Sequence, residues 1–118
     1  MSQLLPEVLG VRREGDAGAV LALHLPPSLV HFPGHFPGMP ILPGVAQVDW
    51  AARFGRDHLG VTGDFARVEN LKFQAFLLPG TRLELSLTWD AARGRLEFSY
   101  ADAQRRYSSG RIIFGDGA

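Results

Sequence analysis

The chain has 118 residues, 46% apolar and 20% charged, with twelve acidic and twelve basic side chains and no cysteine. That is one domain, 1–118, with one core and no disordered composition; zero net charge and scattered arginines argue against a nucleic-acid surface. The missing cysteine removes disulfides, thiol nucleophiles and Cys-based zinc sites. No apolar run approaches the roughly 20 residues of a membrane span, and the first residues lack the basic and apolar regions of a signal peptide, so the expected location is cytoplasmic.

In chain order, residues 20–25 place Leu21, Leu23 and Leu25 on one face and His24 on the other, predicting a strand ended by Pro26-Pro27. Four prolines and three glycines follow His31 within thirteen residues. They fix extended and turn geometry around His35 and exclude regular helix or ladder strand. Residues 44–59 read as the one convincing helix, entered through Pro43-Gly44, and 60–63 as a turn. Residues 65–78 predict a strand or bent strand pair ended by Pro79-Gly80. Leu83, Leu85, Leu87 and Trp89 then alternate with Glu84, Ser86 and Thr88, the mark of a strand with one dry and one wet face. A turn at 91–94, a second alternation through Leu96, Phe98 and Tyr100, a turn at 102–104 and a strand at 106–114 complete an antiparallel meander. The tail 115–118 is expected to fray. One nearly all-round apolar helix with five or six strands is an α+β architecture in which the sheet must wrap the helix.

The chemistry concentrates between His31 and Asp49. His35 stands on a rigid scaffold, and its unperturbed pKa of about 6.5 suits a base working near neutral pH. The helix entry at Gly44 leaves backbone N–H groups free, a place for developing negative charge. Asp49 lies about five residues into the helix, some 7 to 8 Å from those amides at about 1.5 Å per residue.

The segment Gly34-His35-Phe36-Pro37-Gly38-Met39-Pro40-Ile41-Leu42-Pro43-Gly44-Val45, with an acid at Asp49, resembles the active-site motif of the hotdog-fold 3-hydroxyacyl-acyl-carrier-protein dehydratases. Residues 71–80, Leu-Lys-Phe-Gln-Ala-Phe-Leu-Leu-Pro-Gly, look like that family's strand and turn after the central helix. The run ending Val45-Ala46-Gln47-Val48-Asp49-Trp50 is most similar to the small aryl-polyene-type, ApeI-like members. The resemblance implies a hotdog fold with one central helix wrapped by an antiparallel sheet. It also implies dehydration of a 3-hydroxyacyl thioester to the trans-2-enoyl product in fatty-acid or polyene-type biosynthesis. The expected partners are acyl carrier protein and a second hotdog chain, as homodimer or heterodimer. No metal or redox cofactor is implied, since the phosphopantetheine arm arrives with the substrate.

By that resemblance His35 is the base, the Gly44 amide holds the thioester oxygen, with Val45 beside it, and Asp49 assists departure of the hydroxyl. Phe36, Val45 and Phe73, with Phe76 nearby, would contact the acyl chain. Each has a plain alternative. His35 could be a solvated loop histidine, Gly44 a mere turn former, and Phe73 core. Asp49 and Arg53 are four apart and could be an ordinary surface pair, although a helix apolar on its other sides would bury Asp49 and favour its protonated form, which Arg53 would oppose. His31 is read as peripheral, His24 and His58 as structural, and Gln47, Trp50 and Phe54 as helix packing. Two rival functions remain: a hotdog thioesterase, which the His-Phe-Pro-Gly loop disfavours, and a silent partner that only binds carrier protein or completes a heterodimer.

Overall fold

Leucines that alternate along the sequence alternate in space. In the computed structural model, which describes residues 4–29 and 41–115, Leu83, Leu85 and Leu87 point to the core and Glu84, Ser86 and Thr88 to the outside. This strand is β4 (Arg82–Asp90), the middle of a sheet that also holds β1 (Glu7–Glu14), β2 (Gly18–His24), β3 (Asp64–Phe73), β5 (Arg95–Ala101) and β6 (Arg106–Gly115). The spatial order is β1-β2-β4-β5-β6-β3, antiparallel throughout. The predicted meander β4-β5-β6 is present. Between β2 and β3 the chain runs through α1 (Gly44–Leu59), the one helix among the described residues, and reaches the opposite edge of the sheet.

The helix lies on the inner face, burying Ala46, Val48, Trp50, Ala51 and Phe54. Trp50 is wholly enclosed, and burial of a side chain of that size contributes on the order of 3 kcal/mol. Gly55 sets the closest approach, since a Cβ there would stand 2.7 Å from Leu96 Cδ2 on β5. The helix ends at Gly60, whose φ of 67° is the left-handed stop, and its N–H donates to the Gly55 carbonyl. Arg13 from β1 donates to the His58 carbonyl at 3.0 Å, and Arg56 donates to the carbonyls of Val61 and Gly63 while lying over the Phe114 ring. No described helix is long and apolar enough to cross a membrane.

Two expectations need correction, and one strand went unread. β1 is a strand that its sequence did not announce: every residue in it is exposed, so no inward–outward alternation was required of Glu-Val-Leu-Gly-Val-Arg-Arg-Glu. The strand expected over 65–78 stops at Phe73, because Gln74 and Ala75 turn their N–H groups to the Tyr107 carbonyl instead of continuing the ladder. The helix is not apolar all round: Val45, Asp49 and Arg53, spaced four apart, form an exposed stripe. Of the tail, Gly115 closes β6, and 116–118 lie outside the described residues.

Candidate active site

Pro43 occupies the N-cap with φ −63° and ψ 149°, and no side chain caps the helix. Its carbonyl accepts from the N–H groups of Ala46 (3.2 Å) and Gln47 (3.3 Å). The amides of Gly44 and Val45 have no hydrogen-bond partner among the described residues. They are the orphan donors every helix start leaves, here at its positive end.

One row of the sheet lies below them. Register pairs Phe73 of β3 with Ser108 of β6, Ser108 with Tyr100 of β5, and Tyr100 with Leu85 of β4, so all four side chains stand on the inner face. The Phe73 ring rests on Gly44, where a Cβ would stand 2.4 Å from its Cζ. Only glycine admits the ring this close. Ser108 Oγ donates to Gln47 Oε1 at 2.6 Å, and the Tyr100 hydroxyl donates to the Gln47 carbonyl at 2.7 Å. Burial first, and the Asp49 charge second, push the Tyr100 phenol well above its ordinary pKa, so it stays a neutral donor. Ahead of the helix, Leu42 N–H donates to the Leu77 carbonyl at 2.8 Å, which joins the helix entry to the segment after β3.

Gly44, Val45 and Phe73 are therefore brought together. Asp49 sits one turn farther along, and the expectation that it is buried is not met: its side chain is 64% exposed, with Oδ2 3.4 Å from Arg53 Nε. The cause is helical phase, since Val45, Asp49 and Arg53 share the stripe turned from the sheet, whereas Trp50 and Phe54 hold the inner face. Val45 itself is 77% exposed. Phe76, Leu78 and Leu71 are exposed as well. His35 and Phe36, and the tandem His31, lie outside the described residues. His24 pairs with Glu7 across β1 and β2, and His58 packs its ring near Phe54, both structural places.

Sequence reading missed the polar cluster of Gln47, Tyr100 and Ser108. The available signal was a glutamine three and seven residues before Trp50 and Phe54, on the face that packing reserves for apolar groups.

The ApeI-like family model, described as ApeI dehydratase, matches residues 11–111. The chain is similar in structure to one from "The Dehydratase Heterocomplex ApeI:P from Xenorhabdus doucetiae", with TM-score 0.87 and 36% identity over 93% of this chain and 97% of that one. It is also similar to an uncharacterized protein from Erwinia carotovora subsp. atroseptica, with TM-score 0.84 and 39% identity over 96% of this chain and 98% of the other. Among curated relatives, the 3-hydroxyacyl-acyl-carrier-protein dehydratase FabZ of Jannaschia sp. (strain CCS1) is 39% identical over 74 residues, 55% of this chain and 45% of the relative. The chain thus spans about half the length of that relative. One helix on the inner face of a six-stranded antiparallel sheet is, with these neighbours, the α+β hotdog fold.

Proposed function

Because the chain belongs to the ApeI-like dehydratase family, we propose that it removes water from a 3-hydroxyacyl thioester borne by acyl carrier protein and releases the trans-2-enoyl thioester. The observation that carries this reading is the pair of amides at Gly44 and Val45, without a partner among the described residues, with the Phe73 ring resting on Gly44 within a dehydratase-like motif. Two such donors at a helix N-terminus suit an oxygen that gains negative charge as the α-proton leaves. His35 takes that proton, the electron pair moves onto the thioester oxygen and then returns to expel the β-hydroxyl, and Asp49 supplies the proton that makes it water. One proton is accepted, one is given, and no electrons are gained or lost overall, so the step calls for no metal or redox cofactor. The phosphopantetheine arm comes with the substrate, and Val45, Phe73 and Phe36 offer the acyl chain apolar surface.

We further propose that the chain works as a pair, either with its own copy or with a related hotdog chain, and that Asp49 of one protomer serves His35 of its partner. The support is an unfinished surface: β3 is an edge strand, and Phe65, Leu71, Phe73, Phe76 and Leu78, on it or just after it, are each more than two-fifths exposed. The Xenorhabdus doucetiae neighbour is described as a heterocomplex.

The test is incubation of the purified protein, alone and with a candidate mate, with a panel of 3-hydroxyacyl thioesters of carrier protein and of coenzyme A, products resolved by mass. Loss of one water from the thioester is the expected result. Release of free acid would instead establish a thioesterase, and no conversion in any arm would leave the silent-partner reading standing. A sedimentation run at micromolar concentration that shows only monomer, with and without the mate, would overturn the shared site.

A further inference from the structure

Gln47 is 3% exposed on a helix face otherwise occupied by Ala, Val, Trp and Phe. Packing alone would favour an apolar side chain there, since a buried amide is tolerated only where its hydrogen bonds are met. They are met, and by a particular set of partners. Oε1 accepts from Ser108 Oγ at 2.6 Å, and Nε2 donates to the Leu42 carbonyl at 3.3 Å. The backbone N–H of the same residue donates to the Pro43 carbonyl at 3.3 Å.

These last two contacts fall on successive peptide planes. The plane between Pro43 and Gly44 contains the Pro43 carbonyl and the Gly44 N–H, so holding one orients the other. The plane before it contains the Leu42 carbonyl. Between the two planes lie only φ and ψ of Pro43, and the ring fixes φ at −63°. Leu42 is held from its other side as well, its N–H on the Leu77 carbonyl. Gln47 therefore grips both planes that set the direction of the Gly44 amide, while Ser108 and Tyr100, neighbours across β5 and β6, hold Gln47 against the sheet.

We propose that Gln47 is a positioning residue: through Leu42 and Pro43 it aims the Gly44 N–H at the oxygen that gains charge, with Ser108 as its anchor. This rests on the role given above to the Gly44 amide. It differs from a packing role in what it predicts, because aim matters to the transition state more than to substrate binding.

The experiment compares wild type, Gln47→Met and Ser108→Ala in two independent readouts. Methionine keeps the length of glutamine and loses both hydrogen bonds. In steady-state assays on whichever 3-hydroxyacyl thioester the wild type converts, at a temperature where melts show every variant folded, Gln47→Met should lower kcat at least tenfold and leave KM within about twofold. Ser108→Ala should fall between it and wild type. In amide-resolved NMR without substrate, Gln47→Met should move or broaden the Gly44 and Val45 resonances and leave the Leu85 amide unchanged. An unmoved Gly44 resonance, a kcat within twofold of wild type, or a loss confined to KM would each overturn the proposal. If Gln47→Met does not fold, Ser108→Ala carries the same criteria. If the wild type converts no thioester, the functional reading fails on its own, and the NMR arm still decides whether Gln47 sets the amide.

Discussion

Strands β4 and β3 share one sheet and are nine and ten residues long, yet they hold opposite relations to the solvent. On β4 every second residue from Leu83 to Leu87 is buried, with a hydrogen-bonded neighbour on each side and the helix above. On β3 no residue is buried, one side is unpaired, and its large apolar groups stay about half exposed: Phe65 48%, Leu71 41% and Phe73 51%. The difference separates two duties. The β2-β4-β5 side, with the inner face of α1, carries stability. The β3 edge, the start of α1 and the Asp49 stripe carry the proposed reaction and the proposed pairing, which is why they remain unfinished in a single chain.

That division can be broken by placing substitutions on either side of it. The largest effect is expected at His35, which the sequence assigns to the reacting side: His35→Ala should remove turnover by roughly 10² to 10⁴-fold with little change in melting, and His31→Ala should retain most activity. Equal losses in folded proteins would show that the tandem motif has been misassigned. On the stable side, Leu85→Ala should cost about 2 to 5 kcal/mol in denaturant titration, because Leu85 is fully buried beneath the helix. Asp49→Asn comes next, lowering the dehydration rate roughly 10²-fold, or about 2.7 kcal/mol of barrier. Its effect on stability should be small, since the carboxylate is largely exposed. Near-wild-type turnover would reduce Asp49 to an ion-pair partner.

Tyr100 sharpens the boundary, because its phenol belongs to the core and its hydrogen bond to the helix start. Its folded pKa is raised above the unfolded value of 10.0. Above pH 10 the unfolded chain has released this proton while the folded chain keeps it, so the tyrosine's contribution is complete below pH 10 and falls as pH rises. Tyr100→Phe should flatten that alkaline loss and cost about 1 kcal/mol at neutral pH. The smallest effect is expected from Arg53→Gln, about 0.2 to 0.5 kcal/mol for an exposed pair one helical turn apart.

The sequence was most legible where one face is dry. Leu83 to Trp89 and Leu96 to Tyr100 declared their strands because burial imposes a period of two, and Pro43-Gly44 declared the helix entry because those residues fit it. Glu7 to Glu14 stayed silent because a strand exposed on both faces carries no period. Asp49 was expected inside because the helix reads as apolar on its other sides, but Val45, Asp49 and Arg53 share a stripe turned from the sheet, and that phase decides its exposure. Gln47 was correctly read as packed and its hydrogen bonds were missed, since Ser108 lies 61 residues away and only register brings it near.

β1 has a bearing on how large an assembly can grow. It is the other open edge of the sheet, and an edge that accepts a further strand invites open-ended polymerisation. Its ladder is interrupted between Val8 and Gly10, where Leu9 bulges out of register. Charged groups crowd its far end: Arg12 faces Glu14 and Glu84, and Arg13 is committed to the carbonyls of His58 and Asp16. An edge so kinked and charged is a poor template; β3 also bulges and carries Arg67, Glu69 and Lys72, but adds the half-exposed rings of Phe65 and Phe73. Antiparallel joining of two β3 edges would consume both reactive ends about a two-fold axis and leave only blunt β1 edges outward. If pairing runs through β3 as proposed, growth would terminate at the pair instead of propagating into a fibre.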